Sequence, residues 1–305
     1  MKKIDFHVHV KTQLPLEETV EYFTDMCRRH GCDGVNVVAW TYDFPETCNQ
    51  MCMELSRMIP NSYAFGCLLP DRDYAQQAKE LMAQGFRGIK LIRGGKPSLY
   101  PGYGKLFDDE IYEGLFALAE KEQYPILMHN NDPEANWDIN RVSANAIKKG
   151  WYYNETFPSH ERYFEAVDNV LARYPKLKVA MAHMGFYSEN IDKAFEMMEK
   201  YPNLYMDITP ALNIYEELSR VADRAEEFFR KYHHRTFFGT DATNYLVDEA
   251  RDLNDRKHLV TNHFFGGGEP AVVAKRYIVP IKLEEEMLQN IYYNTAMRFI
   301  GEPTY

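Results

Sequence analysis

The sequence is short of positive charge: 35 Lys and Arg stand against 45 Asp and Glu, a formal net charge of -10 over 305 residues. Nucleic acid and anionic membranes are held through a basic face, so neither is expected as a partner. No apolar stretch approaches the roughly 18 residues a membrane-spanning helix needs. Lys2 and Lys3 could open a secretory leader, but Asp5, His7 and His9 break the apolar segment that should follow. Cysteine is sparse and odd in number: Cys27, Cys32, Cys48, Cys52 and Cys67 show no regular framework, which fits a reducing cytoplasm. Cys48 and Cys52 could share one helix face, yet no second Cys/His pair lies close by, and they read as structural thiols. A dinucleotide fingerprint is also missing after the first β-prone run, where the chain reads Lys11-Thr-Gln-Leu-Pro15.

A hydrophobic share of 45%, with 14% aromatic residues, is ample for a sizeable core. Short β-branched or aromatic runs alternate with longer segments of helical periodicity. Strands are expected at 3–10, 34–40, 63–69, 87–93, 125–130, 178–183, 204–208 and 236–241. Helices are expected at 16–31, 46–59, 71–85, 108–123, 159–174, 187–201 and 211–232. Asp71 before a helix, Gly31 and Gly85 after one, and Pro125 opening a strand mark the boundaries. Eight alternations imply parallel strands joined by right-handed crossovers. Eight units in roughly 240 residues suit a closed (β/α)8 TIM barrel better than an open doubly wound sheet. No linker breaks the chain, so residues 1–305 read as one domain. An eighth helix and a C-terminal helix near 283–299 should follow the last strand.

In such a barrel the chemistry sits at the C-terminal ends of the strands. His7 and His9 lie two apart in the first strand, so both point to the same face. Taken alone, the pair could ligate a metal or rest in a hydrogen-bonded core. Four further strands add to them: Lys90 lies in the fourth, His129 ends the fifth, His183 the sixth and Asp241 the eighth. Neutral imidazoles and one carboxylate make a shell suited to Zn2+ with a position left for water. Such a metal brings the pKa of its water near 7. Asp241 could take the water's proton and pass it to a leaving group, while His183 polarises a scissile carbonyl or holds the water.

The ordered pieces IDFHVHV, GIKLI, ILMHN, VAMAHMG and FFGTDA resemble the amidohydrolase superfamily over residues 3 to about 245. The resemblance is closest to its amidohydrolase-related branch of TIM-barrel metal-dependent hydrolases, which includes aminocarboxymuconate semialdehyde decarboxylase. It implies His7, His9, His129 and Asp241 as ligands of one divalent ion, Zn2+ first and Mn2+ as the alternative, with His183 and Asp241 catalytic. Lys90 either contacts substrate or Asp241 as a cation, bridges two metals in carboxylated form as in binuclear members, or forms a barrel-interior ion pair. Some members are metal-free lactonases, and the branch often forms dimers, so the analogy extends to a homodimer.

Two loops, 94–107 and 131–158, are long enough to shape specificity. Trp137, Trp151, Tyr152 and Tyr153 could cover the site or belong to a surface flap. Lys90, Arg93 and Arg141 are candidates to pair with a substrate carboxylate, and Arg93, Arg141 and Trp137 are the residues assigned to substrate. Residues 254–270, with His258, His263 and three glycines, read as a rim loop. His160, His233 and His234 read as structural. The leading function is hydrolysis of an amide, lactone or related C–N or C–O bond in a small, carboxylated molecule. Non-oxidative decarboxylation of an unsaturated or aromatic acid is the alternative, and a non-enzymatic barrel retaining the ligand set is a third class.

Overall fold

A computed structural model describes residues 1–40, 45–70, 72–209, 213–244 and 248–304, with the side chains of 45 and 248–250 left aside. Nine parallel strands form one curled sheet: β1 Ile4–His9, β2 Gly34–Val38, β3 Tyr63–Cys67, β4 Gly88–Leu91, β5 Ile126–Met128, β6 Val179–Met181, β7 Leu204–Asp207, β8 Thr236–Phe237 and β9 Ala242–Thr243. Neighbours follow chain order from β1 to β8, and β9 pairs with β1. The eighth strand expected at 236–241 is therefore split: β8 extends the sheet beyond β7, and β9 returns to its other edge. Phe6 N–H donates to the Phe238 carbonyl at 3.1 Å and Asp241 N–H to the His7 carbonyl at 2.8 Å, which joins the two edges. The fold is the (β/α)8 TIM-barrel type.

Helices cover the outside. Leu16–His30 buries Tyr22, Phe23, Met26 and Cys27, one stripe at helical spacing, and stops at Gly31. The expected cap Asp71 lies outside the described residues. Asp73 caps the helix Tyr74–Gln84 by accepting from Gln76 N–H at 2.8 Å. His160–Arg173 starts on Ser159, whose hydroxyl accepts from Arg162 N–H. The segment expected at 211–232 is two helices, Asn213–Arg220 and Ala222–Tyr232; positions 211 and 212 fall outside the described residues. Inside the barrel, Phe6, Phe65 and Phe237 meet Phe299 of the last helix, Thr295–Ile300, which plugs the lower end. Asn290 and Thr295 bond His233 there, away from the strands' C-terminal ends. Among the described residues, no helix is long and apolar enough to cross a membrane.

One expectation fails outright. Residues 254–270 are not a rim loop: the helix Asp248–Phe265 occupies most of the span, and an antiparallel hairpin, β10 Ala271–Val273 and β11 Arg276–Ile278, follows. Asn254, Lys257, His258 and Thr261 are buried on that helix beside Val260 and Phe264. Its inward face is largely polar, which hides it from a search for apolar periodicity.

A bulge in β1 aims the histidines. Its register against β2 slips between Asp5 and Val8, and such an extra residue lets neighbouring side chains escape strict alternation. Phe6 thus joins the barrel floor while His7 and His9 face the mouth. Asp5 falls outside the barrel wall and binds Thr240, accepting from its N–H at 2.9 Å and its hydroxyl at 2.5 Å. Burial raises the Asp5 carboxyl to about 6 despite these bonds. Its folded pKa exceeds the unfolded value near 3.9, so the stability contributed by the protonated form is present below that value. It is lost as pH rises through about 6. The difference in unfolding free energy between wild type and Asp5→Asn is expected to shift by on the order of 3 kcal/mol between pH 4 and 7, read by urea titration. A flat difference would mean that Asp5 folds ionised.

Candidate metal centre

Two histidines and one aspartate converge at the barrel mouth. One ligand atom from each of His7, His9 and Asp241 lies within 4.8 Å of the other two. His7 Nε2 is 3.1 Å from His9 Nε2, and Asp241 Oδ1 is 3.2 Å from His9 Nε2 and 4.0 Å from His7 Nε2. Asp241 takes the left-handed conformation, φ 55°, which strains a residue with a Cβ and turns its carboxylate over the mouth. The Lys257 ammonium holds its carbonyl at 2.6 Å from behind.

The second nitrogen of each imidazole fixes its tautomer. His9 Nδ1 lies 2.9 Å from the Val38 carbonyl, which only accepts, so Nδ1 carries the proton and Nε2 is a lone pair. His7 Nδ1 lies 2.5 Å from Asp207 Oδ2. Burial raises Asp207 to about 8 and holds His7 well below its usual range. The pair shares one proton, and with that proton on His7 Nδ1 a second lone pair faces the centre. Burial alone would raise the Asp241 carboxyl, but the Lys257 ammonium and the imidazoles around it outweigh burial and hold it well below the carboxylate range. Three acceptor atoms thus converge, with the Lys90 ammonium 3.4 Å from one of them, His7 Nε2, an arrangement that a cation shared by all three relieves further. The donor set fits a divalent ion bound through N and O, with Asp207 in the outer position from which a carboxylate orients a metal-binding imidazole.

Lys90 and His183 complete the surroundings. Lys90 Nζ stands 3.4 Å from His7 Nε2, and burial lowers it to about 8 against the pull of Asp207 and Asp241. His183 begins a run of left-handed residues after β6, with φ 56° there, 53° at Met184 and 62° at Phe186. Its Nδ1 lies 3.2 Å from the Thr209 carbonyl, which leaves Nε2 as the acceptor. Burial depresses this imidazole to about 4, so it is neutral near pH 7. Gly239 is required by close approach: a Cβ there would sit 2.9 Å from His7 Cβ and 3.0 Å from Asp207 Oδ1.

His129 does not join the three ligand atoms. Its ring packs 5.1 Å from that of His183, and its Nε2 lies 3.2 Å from Asp132 Oδ1. Lys96 Nζ reaches the same carboxylate at 2.5 and 2.7 Å, and the Tyr153 hydroxyl donates to it at 2.5 Å.

A cavity of about 570 Å3 opens over the centre, lined by His9, Trp40, Lys90, His129, His183 and Asp241 below and by Arg141, Trp151, Glu189, Glu217 and Arg276 above. Trp40 stands edge-on to His9, ring centroids 4.5 Å apart. Of the three residues expected to bind substrate, only Arg141 lines this space. Arg93 lies over Tyr103, with its carbonyl accepting from Tyr112, and Trp137 packs on Tyr153 and His160 beneath the loop. Arg141 reaches Glu134 at 3.4 Å and Glu189 at 3.6 Å, loose contacts on a half-exposed side chain. Asp207, Lys96, Asp132 and Trp40 are site residues that the sequence alone does not single out. Asp207 carries the signal that found the others, a charged residue closing an apolar strand.

No curated protein matches the sequence. Solved structures resemble it in fold. An amidohydrolase II is 15% identical, with 99% of this chain and 100% of that chain covered at a TM-score of 0.62. An amidohydrolase from Burkholderia multivorans with bound zinc is 13% identical, with coverage of 99% and 100% and a TM-score of 0.57. 2,6-Dihydroxybenzoate decarboxylase from Rhizobium is 13% identical, with 99% of each chain covered and a TM-score of 0.54. At these identities the likeness concerns the architecture alone. The family model described as amidohydrolase matches residues 4–301, nearly the whole length, and the chain belongs to that family.

Proposed function

We propose that the protein is a metal-dependent hydrolase that cleaves a C–N or C–O bond of a small carbonyl substrate, with Zn2+ as its ion and Mn2+ as the alternative. The observation that carries this reading is the meeting of three acceptor atoms, from His7, His9 and Asp241, at the base of a substrate-sized cavity. A divalent cation held there supplies a water nucleophile at neutral pH and polarises the scissile carbonyl. Asp241 is kept ionised, so it can accept the proton of the attacking water and deliver it to the departing nitrogen or oxygen. His183 has Nδ1 committed to Thr209, so its Nε2 can only accept, which suits it to orient that water rather than to polarise a carbonyl. Lys90, a buried cation beside His7, offsets the charge of Asp207 and Asp241. Arg141, loosely held by Glu134 and Glu189, is free to exchange them for a substrate carboxylate.

Decarboxylation of a small unsaturated or aromatic acid is the second reading. It is supported by the decarboxylase among the similar folds and by the same Arg141, which would hold a carboxylated substrate. A panel of lactones, amides and aromatic acids, followed in parallel by pH-stat and by CO2 release, separates the two. Acid release without CO2 is expected, abolished by a chelator and restored by Zn2+. CO2 as the product would replace hydrolysis with lyase chemistry, and full activity in demonstrably metal-free protein would remove the metal from the reading.

A further inference from the structure

Two neighbouring carboxylates on the helix Asn213–Arg220 are treated differently by the fold. Glu216 is paired with two guanidinium groups, Arg276 at 2.6 Å and Arg220 at 3.7 Å. Glu217 lines the cavity over the metal centre, and among the described residues its hydrogen-bond partners are neutral. Its Oε2 accepts from the Ser188 hydroxyl at 2.6 Å and its Oε1 from the Asn213 amide at 3.1 Å. Ser188 follows β6 and Asn213 opens the helix, so two elements fix this carboxylate before any ligand arrives. Each oxygen still has a lone pair after one bond. Burial raises the Glu217 carboxyl, and the neighbouring Glu189 adds to the rise, so a cation at those lone pairs would offset an unfavourable charge. Glu189 in turn lies 3.6 Å from Arg141, the guanidinium assigned above to a substrate carboxylate. The upper wall of the cavity thus presents one uncompensated anion and one loosely held cation, linked through Glu189.

We propose that the substrate carries an amino-acid head, with Glu217 taking its ammonium and Arg141 its carboxylate, while the scissile carbonyl of its side arm reaches the metal centre. This inference rests on the hydrolytic metal reading above and extends it to a substrate class, a zwitterionic amide or ester whose scissile bond lies in the side chain. Hydrolysis adds water across that C–N or C–O bond and leaves the head unchanged. Glu217 is therefore a specificity residue that takes no part in bond making. An ammonium fits it better than a hydroxyl does, because both can donate to the free lone pairs but only the ammonium offsets the carboxylate's charge. Glu216 cannot play this part, since Arg276 and Arg220 already hold it.

Metal-binding hydroxamates of this shape test the assignment on Zn2+-loaded protein without turnover. The side-chain hydroxamates of L-aspartate, L-glutamate and L-aminoadipate carry the head at three distances from the metal-binding group. Succinic, glutaric and adipic monohydroxamates are their counterparts without the amine. Titration calorimetry is expected to show the best aminated compound binding about tenfold or more tighter than its counterpart, the gain typical of a hydrogen bond to a charged group. Glu217→Gln keeps the side chain's length and removes its charge. It should abolish that preference while leaving the compounds without the amine bound as before. Arg141→Met should weaken both series alike and preserve their ratio. Equal binding of the two series to wild type at all three lengths would overturn the inference, as would a preference that survives Glu217→Gln or an Arg141→Met protein that binds like wild type. Loss of both series from Glu217→Gln would also overturn it, by making the carboxylate a support of the cavity wall. Failure of every hydroxamate, acetohydroxamate included, to bind Zn2+-treated wild type would instead remove the metal reading, and this inference with it.

Discussion

Asp241→Asn is expected to lower kcat by about 10²–10⁴-fold with Zn2+ in excess, the range over which a positioned acid–base group contributes. The substitution preserves shape and the backbone turn, but an amide cannot take the proton of an attacking water at neutral pH. It also removes the only carboxylate among the three clustered ligands, so Zn2+ affinity should fall in the same protein. Saturating metal separates the two effects: the affinity loss is recovered, whereas the proton-transfer loss persists. The measurement is kcat for the best substrate of the panel, with metal content determined on the same samples. A variant that regains wild-type kcat once saturated would leave Asp241 as a ligand alone and assign the base to another group.

The strength of that expectation comes from features that were legible at different depths in the sequence. Seven strands fall where alternating apolar runs place them, because parallel barrel strands are buried on both faces and read as continuous hydrophobic runs. The polar residues that interrupt those runs at their C-terminal ends are the ones that surround the centre: His7, His9, Lys90, His183 and Asp241. The eighth strand reads as one element because TFFGTD is apolar and β-prone throughout. Three-dimensional closure breaks it at Gly239, where Thr240 is drawn to Asp5 and Asp241 turns into the left-handed region.

What stayed hidden did so for physical reasons. The helix Asp248–Phe265 faces the back of the site, and among the residues it buries Asn254, Lys257, His258 and Thr261 interrupt Val260, Phe264 and Phe265, so no clean hydrophobic stripe forms. The β1 bulge cannot be read from IDFHVH, since strict alternation would put Phe6 opposite both histidines; only the slip against β2 places Phe6 and His7 inside together. Arg93 and Trp137 had the right chemistry for a substrate wall, but strand geometry and the packing of the β5 loop carry them elsewhere. The Asp132 network joins two loops through side chains 36 and 21 residues apart, and no local pattern encodes such a pairing.

That network should also dominate the stability of the cavity. Lys96→Met or Asp132→Leu alone is expected to cost about 3–5 kcal/mol, because either change leaves a buried charge without its partner. In a chain of this size the loss corresponds to a Tm drop on the order of 6–10 °C. The Lys96→Met/Asp132→Leu protein should recover most of it, since two apolar side chains carry no desolvation penalty and a buried ion pair is often replaced without loss. Tyr153 limits the recovery: its hydroxyl loses the bond to Asp132 in that protein, at a cost on the order of 1 kcal/mol. Thermal unfolding of the metal-free proteins checks each step and keeps Zn2+ linkage out of the comparison. Equal and additive losses from the two single substitutions would show that Lys96 and Asp132 are each solvated well enough to stand alone. The loops after β4 and β5 would then be joined by packing rather than by charge.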